Sequence, residues 1–147
     1  MPSLMRMINV LSRCYTMYRG DRLRDHELNT GFYNYVLPIH FHPGMSQEQL
    51  ARHVCMDKSN VTRHLAKLEE GGYVERRSSE TDRRVTLVYP TDKLEELVPT
   101  IREINQEWTN YVMEGLSEEE IAQFEATLLK IARRAKEYVN SKDEIET

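Results

Sequence analysis

Ser59, Asn60, Thr62, Arg63 and Lys67 lie within nine consecutive positions, interleaved with Val61, Leu65 and Leu68. On a helix of about 100° per residue with Val61 at zero, Leu65 and Leu68 fall within about 40° of it. Ser59, Arg63 and Lys67 fall near about 160°, 200° and 240°, Asn60 near 260° and Thr62 near 100°. Such a helix buries one apolar stripe and presents an arc of hydrogen-bond donors. Hydroxyl, amide, guanidinium and ammonium groups are the chemistry that meets phosphate oxygens and base edges. Arg63 has the fork to bind a guanine bidentately, and Asn60 the donor–acceptor pair to bind an adenine. A second basic group follows, Arg76, Arg77, Arg83 and Arg84, with Glu80 and Asp82 among them. Arginine at a narrow hairpin tip suits a minor groove, where the potential is most negative. Asp82 stands two positions from Arg84 and can hold its guanidinium in one pose. Each group alone fits an ordinary surface helix or a solubilising loop; their order along the chain gives them weight.

That order is a helix, a tight turn, a second helix, a double glycine and a basic-tipped hairpin, all between Ser46 and Tyr89. Ser46-x-x-Gln49 is a capping box that opens a helix with Leu50, Ala51 and Val54 inside. Asp57 caps the next helix and Gly71-Gly72 ends it. Tyr73 to Arg76 and Val85 to Tyr89 read as strands, with Pro90 closing the unit. Upstream, Leu4, Met7, Ile8, Leu11, Tyr15 and Tyr18 give an amphipathic helix to about Arg24. Thr30 is placed to cap a second helix through Tyr33, Val36, Leu37 and Phe41, with a kink or early stop expected at Pro38. Downstream, Leu94, Leu97, Ile101, Ile104, Trp108 and Tyr111 make a coiled-coil-like seam. Pro99 within it implies a bend, or a helix that starts in earnest near it. Gly115 breaks this helix. Ser117-x-x-Glu120 caps a last one through Ile121, Phe124, Leu128, Ile131, Ala135 and Tyr138, with a frayed tail after Asn140.

The chain has 147 residues, enough for one compact domain with a real core. Its apolar runs are too short to cross a bilayer, its N-terminus is a poor signal peptide, and two cysteines are no disulfide framework. A soluble cytoplasmic protein is therefore expected. The net charge of −4 is unevenly spread. Residues 1–51 are net +1 and residues 52–91 net +2, whereas residues 92–147 are net −7. Contact with phosphate depends on local charge, because screening acts over roughly 8 Å. The acidic third is a solvated surface, or a field that helps aim the basic face. No phosphate-binding loop, nucleophile elbow, HExxH or paired CxxC occurs, so no enzyme and no cofactor is expected.

The stretch HPGMSQEQLARHVCMDKSNVTRHLAKLEEGGYVERRSSETDRRVTLVY resembles the MarR family of winged helix-turn-helix transcriptional regulators. Within it, DKSNVTRHLAKLEEGGYVER resembles the family's recognition helix and first wing strand, and DRRVTLVYPT its wing tip and return strand. The flanking helices, including Gly115-Leu116-Ser117-Glu118-Glu119, match in order and length, so the resemblance covers about residues 4 to 140. It implies an α+β, mostly helical fold. Residues 30–90 would form the winged helix-turn-helix lobe, and residues 1–29 and 91–147 a helical dimerisation region. It also implies a homodimer on a pseudo-palindromic double-stranded DNA operator, acting as a repressor released by a small-molecule effector. The expected DNA-binding residues are Ser59, Asn60, Thr62, Arg63, Lys67, Asp82, Arg83 and Arg84.

Two features depart from the family pattern. Thr91-Asp92-Lys93-Leu94 stands where such regulators often carry Thr-x-x-Gly, and the second helix holds Pro38 and the aromatic group Phe32, Tyr33, Tyr35 and Phe41. Effector pockets of such proteins lie between the dimer helices and the lobe, and Tyr15, Tyr18, Tyr33, His40, His42 and Trp108 are the candidate lining. That mix suits an aromatic or carboxylate-bearing molecule; each of the six fits core packing equally. Alternatives are a redox-responsive regulator using Cys14, or a dimeric interaction module without DNA binding. Cys55 is expected as a small buried residue in the helix-turn-helix turn. No metal site is expected: His40-x-His42 is poor ligand spacing on a helix, and residues 92–147 hold no His or Cys.

Overall fold

A computed structural model of the chain describes residues 1, 3–24 and 31–143. Its elements run α1 (Leu4–Arg22), α2 (Tyr33–Phe41), β1 (Met45–Ser46), α3 (Gln47–Val54), α4 (Lys58–Glu70), β2 (Val74–Ser78), β3 (Thr86–Pro90), α5 (Asp92–Val112) and α6 (Glu118–Asp143). The three strands form one antiparallel sheet in the order β1-β3-β2. The fold is α+β and mostly helical, with a winged helix-turn-helix lobe, as the sequence led us to expect.

Local chemistry sets most element ends. Ser46 and Gln49 form the reciprocal capping box at α3, and Asp57 accepts from the Asn60 N–H to start α4. Gly71 and Gly72 close α4 as a Schellman motif. The Tyr73 N–H reaches back to the Leu68 carbonyl, the Gly72 N–H to that of Glu69, and Gly72 takes φ +80°. Ser117 and Glu120 exchange the expected capping hydrogen bonds at α6. That helix runs on to Asp143, three residues beyond the expected fraying point. Thr91 caps α5, and its hydroxyl also donates to the carbonyls of Gly72 and Tyr73, tying the helix start to the strand start. Where a glycine is usual, Leu94 is fully buried.

Several expectations need correction. Both wing strands start one residue late. The Tyr73 N–H is committed to α4, and the Val85 N–H turns back to the Asp82 carbonyl, so the wing loop is residues 79–85. Pro90 does not stand outside the sheet: it pairs with Val74 at the end of β3, where a missing N–H is tolerated. β1 was not anticipated, because two residues carry no alternation; Met45 and Ser46 pair with Val88 and Leu87. Thr30 lies outside the described residues, and α2 has Phe32 at its N-cap with no side-chain cap. Pro38 does not end α2, which continues for three residues. Likewise α5 starts seven residues before Pro99 and runs through it.

The core gathers Tyr35, Val36 and Ile39 of α2, Leu50 and Ala51 of α3, Val61, Leu65 and Leu68 of α4, Val88 of β3, and Leu94, Ile101 and Ile104 of α5. The α5 seam thus faces its own chain in its first half; only toward its end does it emerge, with Tyr111 exposed. In α1 and α6 the apolar stripes lie open. Leu4, Met7 and Leu11 are exposed, as are Phe124, Leu128, Ile131 and Tyr138.

Leu65 is wholly buried beneath α4. Leu65→Ala should therefore lower unfolding free energy by about 2–5 kcal/mol, read as a shifted urea midpoint at constant slope.

Candidate nucleic-acid interface

Helix α4 is held from below. Val61, Leu65 and Leu68 are at most 1% exposed, the Tyr35 hydroxyl meets His64 Nδ1 at 2.8 Å, and Phe32 packs edge-on against the same imidazole. The arc turned outward holds exposed Ser59, Thr62, Arg63 and Lys67, with Asn60 half-buried. The helical wheel therefore holds residue by residue. Thr62 donates its hydroxyl proton to the Lys58 carbonyl and accepts from Gln47 of α3, leaving it acceptor capacity rather than a free donor. Asn60 donates its amide to Asp57 and accepts from Arg63.

The four wing arginines divide by role. Arg76, half-buried, is a tie: its guanidinium bonds Glu69 of α4 and Gln47 of α3, and its backbone N–H bonds Glu69 at 2.8 Å. Arg77 pairs with Glu75 at 2.9 Å and lies 4.6 Å over the Tyr89 ring. Arg83 and Arg84 stand at the tip, both exposed. Asp82 accepts from the Arg84 N–H at 3.1 Å and from its guanidinium at 3.1 and 3.3 Å. The Arg84 guanidinium and N–H hold the Asp82 carboxyl below its usual range. The pair is too exposed to matter for stability; what it supplies is a preset direction for the Arg84 side chain.

Four of the six candidate pocket residues, Tyr15, Tyr18, Tyr33 and Trp108, form one aromatic cluster, and His40 and His42 lie apart from it. Tyr15 and Trp108 line a cavity of about 650 Å³ between α1, α5 and α6, together with Asn105, Leu11, Phe124 and Leu128. Tyr18 stacks on Trp108 and bonds Glu107 at 2.9 Å but is not part of that lining. Tyr33 is buried, its hydroxyl shared with Tyr15 and Asn105. Burial first, and the Tyr15 hydroxyl second, push its phenol far above the ordinary 10. His40 lies elsewhere, 2.6 Å from Glu95. His42 is exposed and lines a separate cavity with His53 and Gln49. Their partners part them: Tyr33 at the start of α2 meets Tyr15 and Asn105, His40 near its end meets Glu95 at the start of α5, and His42 lies beyond the helix. Among the described residues no group of three or more His, Cys, Asp or Glu side chains is placed to hold a metal. Cys14 and Cys55 are free thiols, both exposed. Cys55 is not the buried turn residue expected: it ends α3 in the left-handed region at φ 55°, which turns its side chain outward.

Sequence reasoning missed the polar residues that organise these regions. Arg19, 8% exposed, lies over the rings of Tyr15 and Tyr33 and donates to Asn34. Asn105 gathers both tyrosine hydroxyls. Glu107 joins Tyr18 to Arg22. Gln47 bridges α4 and β2. Each is a polar residue partnered across a long stretch of chain, and neither periodicity nor local spacing signals such a partner.

A family model described as "MarR family" matches residues 33–86. The HTH-type transcriptional regulator BilQ of Clostridium symbiosum is 30% identical over 119 residues, 81% of this chain and 83% of that protein. The crystal structure of the transcriptional regulator SlyA is 25% identical with a TM-score of 0.89, covering 95% of this chain and 98% of that one. A MarR-family regulator from Listeria monocytogenes, solved in complex with a 26mer DNA, superposes with a TM-score of 0.90 at 22% identity, covering 98% and 96%.

The Arg76–Glu69 tie also sets a pH response. The Arg76 backbone N–H, then its guanidinium, holds the Glu69 carboxyl below its ordinary 4.5. A depressed carboxyl contributes stability that is present above 4.5 and lost as pH falls through the lower folded value. Glu69→Gln should therefore flatten the fall in stability below pH 4.5, measured as denaturation midpoints at stepped pH.

Proposed function

This chain belongs to the MarR family of transcriptional regulators, and from that premise we propose that it binds double-stranded DNA sequence-specifically, as a homodimer on a pseudo-palindromic operator. The observation that carries this reading is the pairing of the outward α4 arc with the exposed arginine tip. Ser59, Thr62, Arg63 and Lys67 would meet bases and phosphates of a major groove, with Asn60 beside Arg63 on the same arc. Arg83 and Arg84, with Asp82 orienting the latter, would meet the neighbouring minor groove. Of the remaining wing arginines, Arg76 is held by Glu69 and Gln47 and belongs to the scaffold, and Arg77 pairs with Glu75 on its own strand and lies over Tyr89. The net −7 of residues 92–147 would keep phosphate away from the helices that carry no reading residues.

The homodimer reading rests on the open apolar stripes of α1 and α6. Two such stripes need cover, and a second copy offers the same two in return. By family analogy the protein acts as a repressor, blocking promoter access until an effector binds. The cavity beside Tyr15, Asn105 and Trp108 shares Leu11, Phe124 and Leu128 with those stripes, so an aromatic or carboxylate-bearing effector would sit at the edge of the dimer contact, against Tyr15, Asn105 and Trp108. No helix among the described residues is long and apolar enough to cross a membrane, which accords with action on DNA in the cytoplasm.

The test of the whole is in-vitro selection of bound duplexes, repeated with aromatic acids and with peroxide. Selection of a two-fold-related motif is expected; recovery of random sequence would refute sequence-specific binding. Arg84→Ala should weaken binding and lower the slope of log K against log salt by about one, the signature of one lost phosphate contact. A slope equal to wild type would argue against that contact. Sedimentation at micromolar concentration should give a dimer, and a stable monomer would sink the homodimer reading.

A further inference from the structure

We propose that Asp57 and Asn60 are positioning residues that hold Arg63 in one pose, so that the three side chains specify a single base pair as a unit. The inference rests on the DNA-binding reading above and deepens it. Asp57 accepts from the Asn60 backbone N–H through Oδ1 at 3.0 Å and from the Asn60 side-chain Nδ2 through Oδ2. Asn60 Oδ1 in turn accepts from Arg63 Nη2. The chemistry leaves one orientation for the amide. A carboxylate can only accept, so it must face Nδ2; a guanidinium can only donate, so it must face Oδ1.

The consequence concerns what each residue can read. An adenine needs both edges of an Asn amide at once, Oδ1 and Nδ2, and both edges of Asn60 are turned inward along the helix to its neighbours. Asn60 is thereby withdrawn as an adenine reader. Arg63 has five N–H donors and commits one Nη2 hydrogen, which leaves the second Nη2 hydrogen with its neighbour on one forked edge for a bidentate pair with guanine O6 and N7. The relay is exposed, so it contributes little to folding. Once a DNA groove excludes water from it, the same contacts strengthen, and their influence falls on selectivity. Asp57 adds a negative charge at the reading face. That charge repels the phosphate backbone of any sequence alike, so its loss should raise affinity for non-cognate duplex.

The experiment is selection of bound duplexes by the full chain for wild type, Asn60→Ala, Asp57→Asn, Arg63→Ala and the Asn60→Ala/Arg63→Ala double variant, with affinity for cognate and scrambled duplexes. Asn is as good a helix cap as Asp, so Asp57→Asn removes the charge and keeps the fold. Arg63→Ala should erase preference at one base pair, by roughly tenfold or more. Asn60→Ala and Asp57→Asn should weaken preference at that same pair and no other, and the double variant should lose no more than Arg63→Ala alone. Asp57→Asn should also bind scrambled duplex more tightly. Loss of preference at a different base pair in Asn60→Ala, or an unchanged profile in both Asn60→Ala and Asp57→Asn, would overturn the relay while leaving DNA binding intact. A wild type that selects no sequence would overturn the functional reading, and the relay with it.

Discussion

Everything on the outer face of this protein depends on where three aliphatic side chains go. Val61, Leu65 and Leu68 repeat at four and three residues, and all are buried to within 1%. A helix has one rotational freedom about its axis, and burying that stripe removes it. With the stripe buried in the core between α3 and β2, Ser59, Thr62, Arg63 and Lys67 have no direction left but outward. The capping carboxylate of Asp57 sets where the helix begins, and the Schellman turn at Gly72 sets where it ends and where β2 starts.

The second determinant is how the charged groups divide between scaffold and surface. Arg76 and Glu69 lock α4 to β2, with Gln47 drawing in α3, so the two halves of the proposed reading surface move as one body. Asp82 and Arg84, at the far end of the same hairpin, form a pair of the same type in which the arginine side chain is 90% exposed. The difference in environment makes the difference in role: the first contact joins elements, whereas the second only directs a side chain that remains free to meet a ligand.

Helix α5 connects this lobe to the rest. Thr91 pins its start to Gly72 and Tyr73, Leu94, Ile101 and Ile104 share the lobe's core, and Asn105 and Trp108 then meet Tyr15 and Tyr33 of α1 and α2. Helix α5 thus belongs to the core at one end and to an aromatic cavity at the other. On the lobe side, the Tyr35 hydroxyl of α2 meets His64 on α4 itself.

The sequence alone determined the order of the helices and of the two wing strands, both capping boxes, the helix stop at Gly71-Gly72 and the rotational setting of α4. These follow from interactions within a few residues, or from a periodicity of 3.6, and need no knowledge of the partner surface. Only the tertiary structure decided which arginines are free and which are ties, that Cys55 turns outward, that β1 exists, and that His40 and His42 part from Tyr15 and Trp108. Most of those depend on a partner distant in the chain, Arg76 on Gln47, Tyr15 on Asn105, Met45 on Val88, whereas Cys55 follows its own backbone at φ 55°. Local pattern carries the free energy of helix and turn formation, whereas a polar side chain's role is set by whatever the fold brings opposite it.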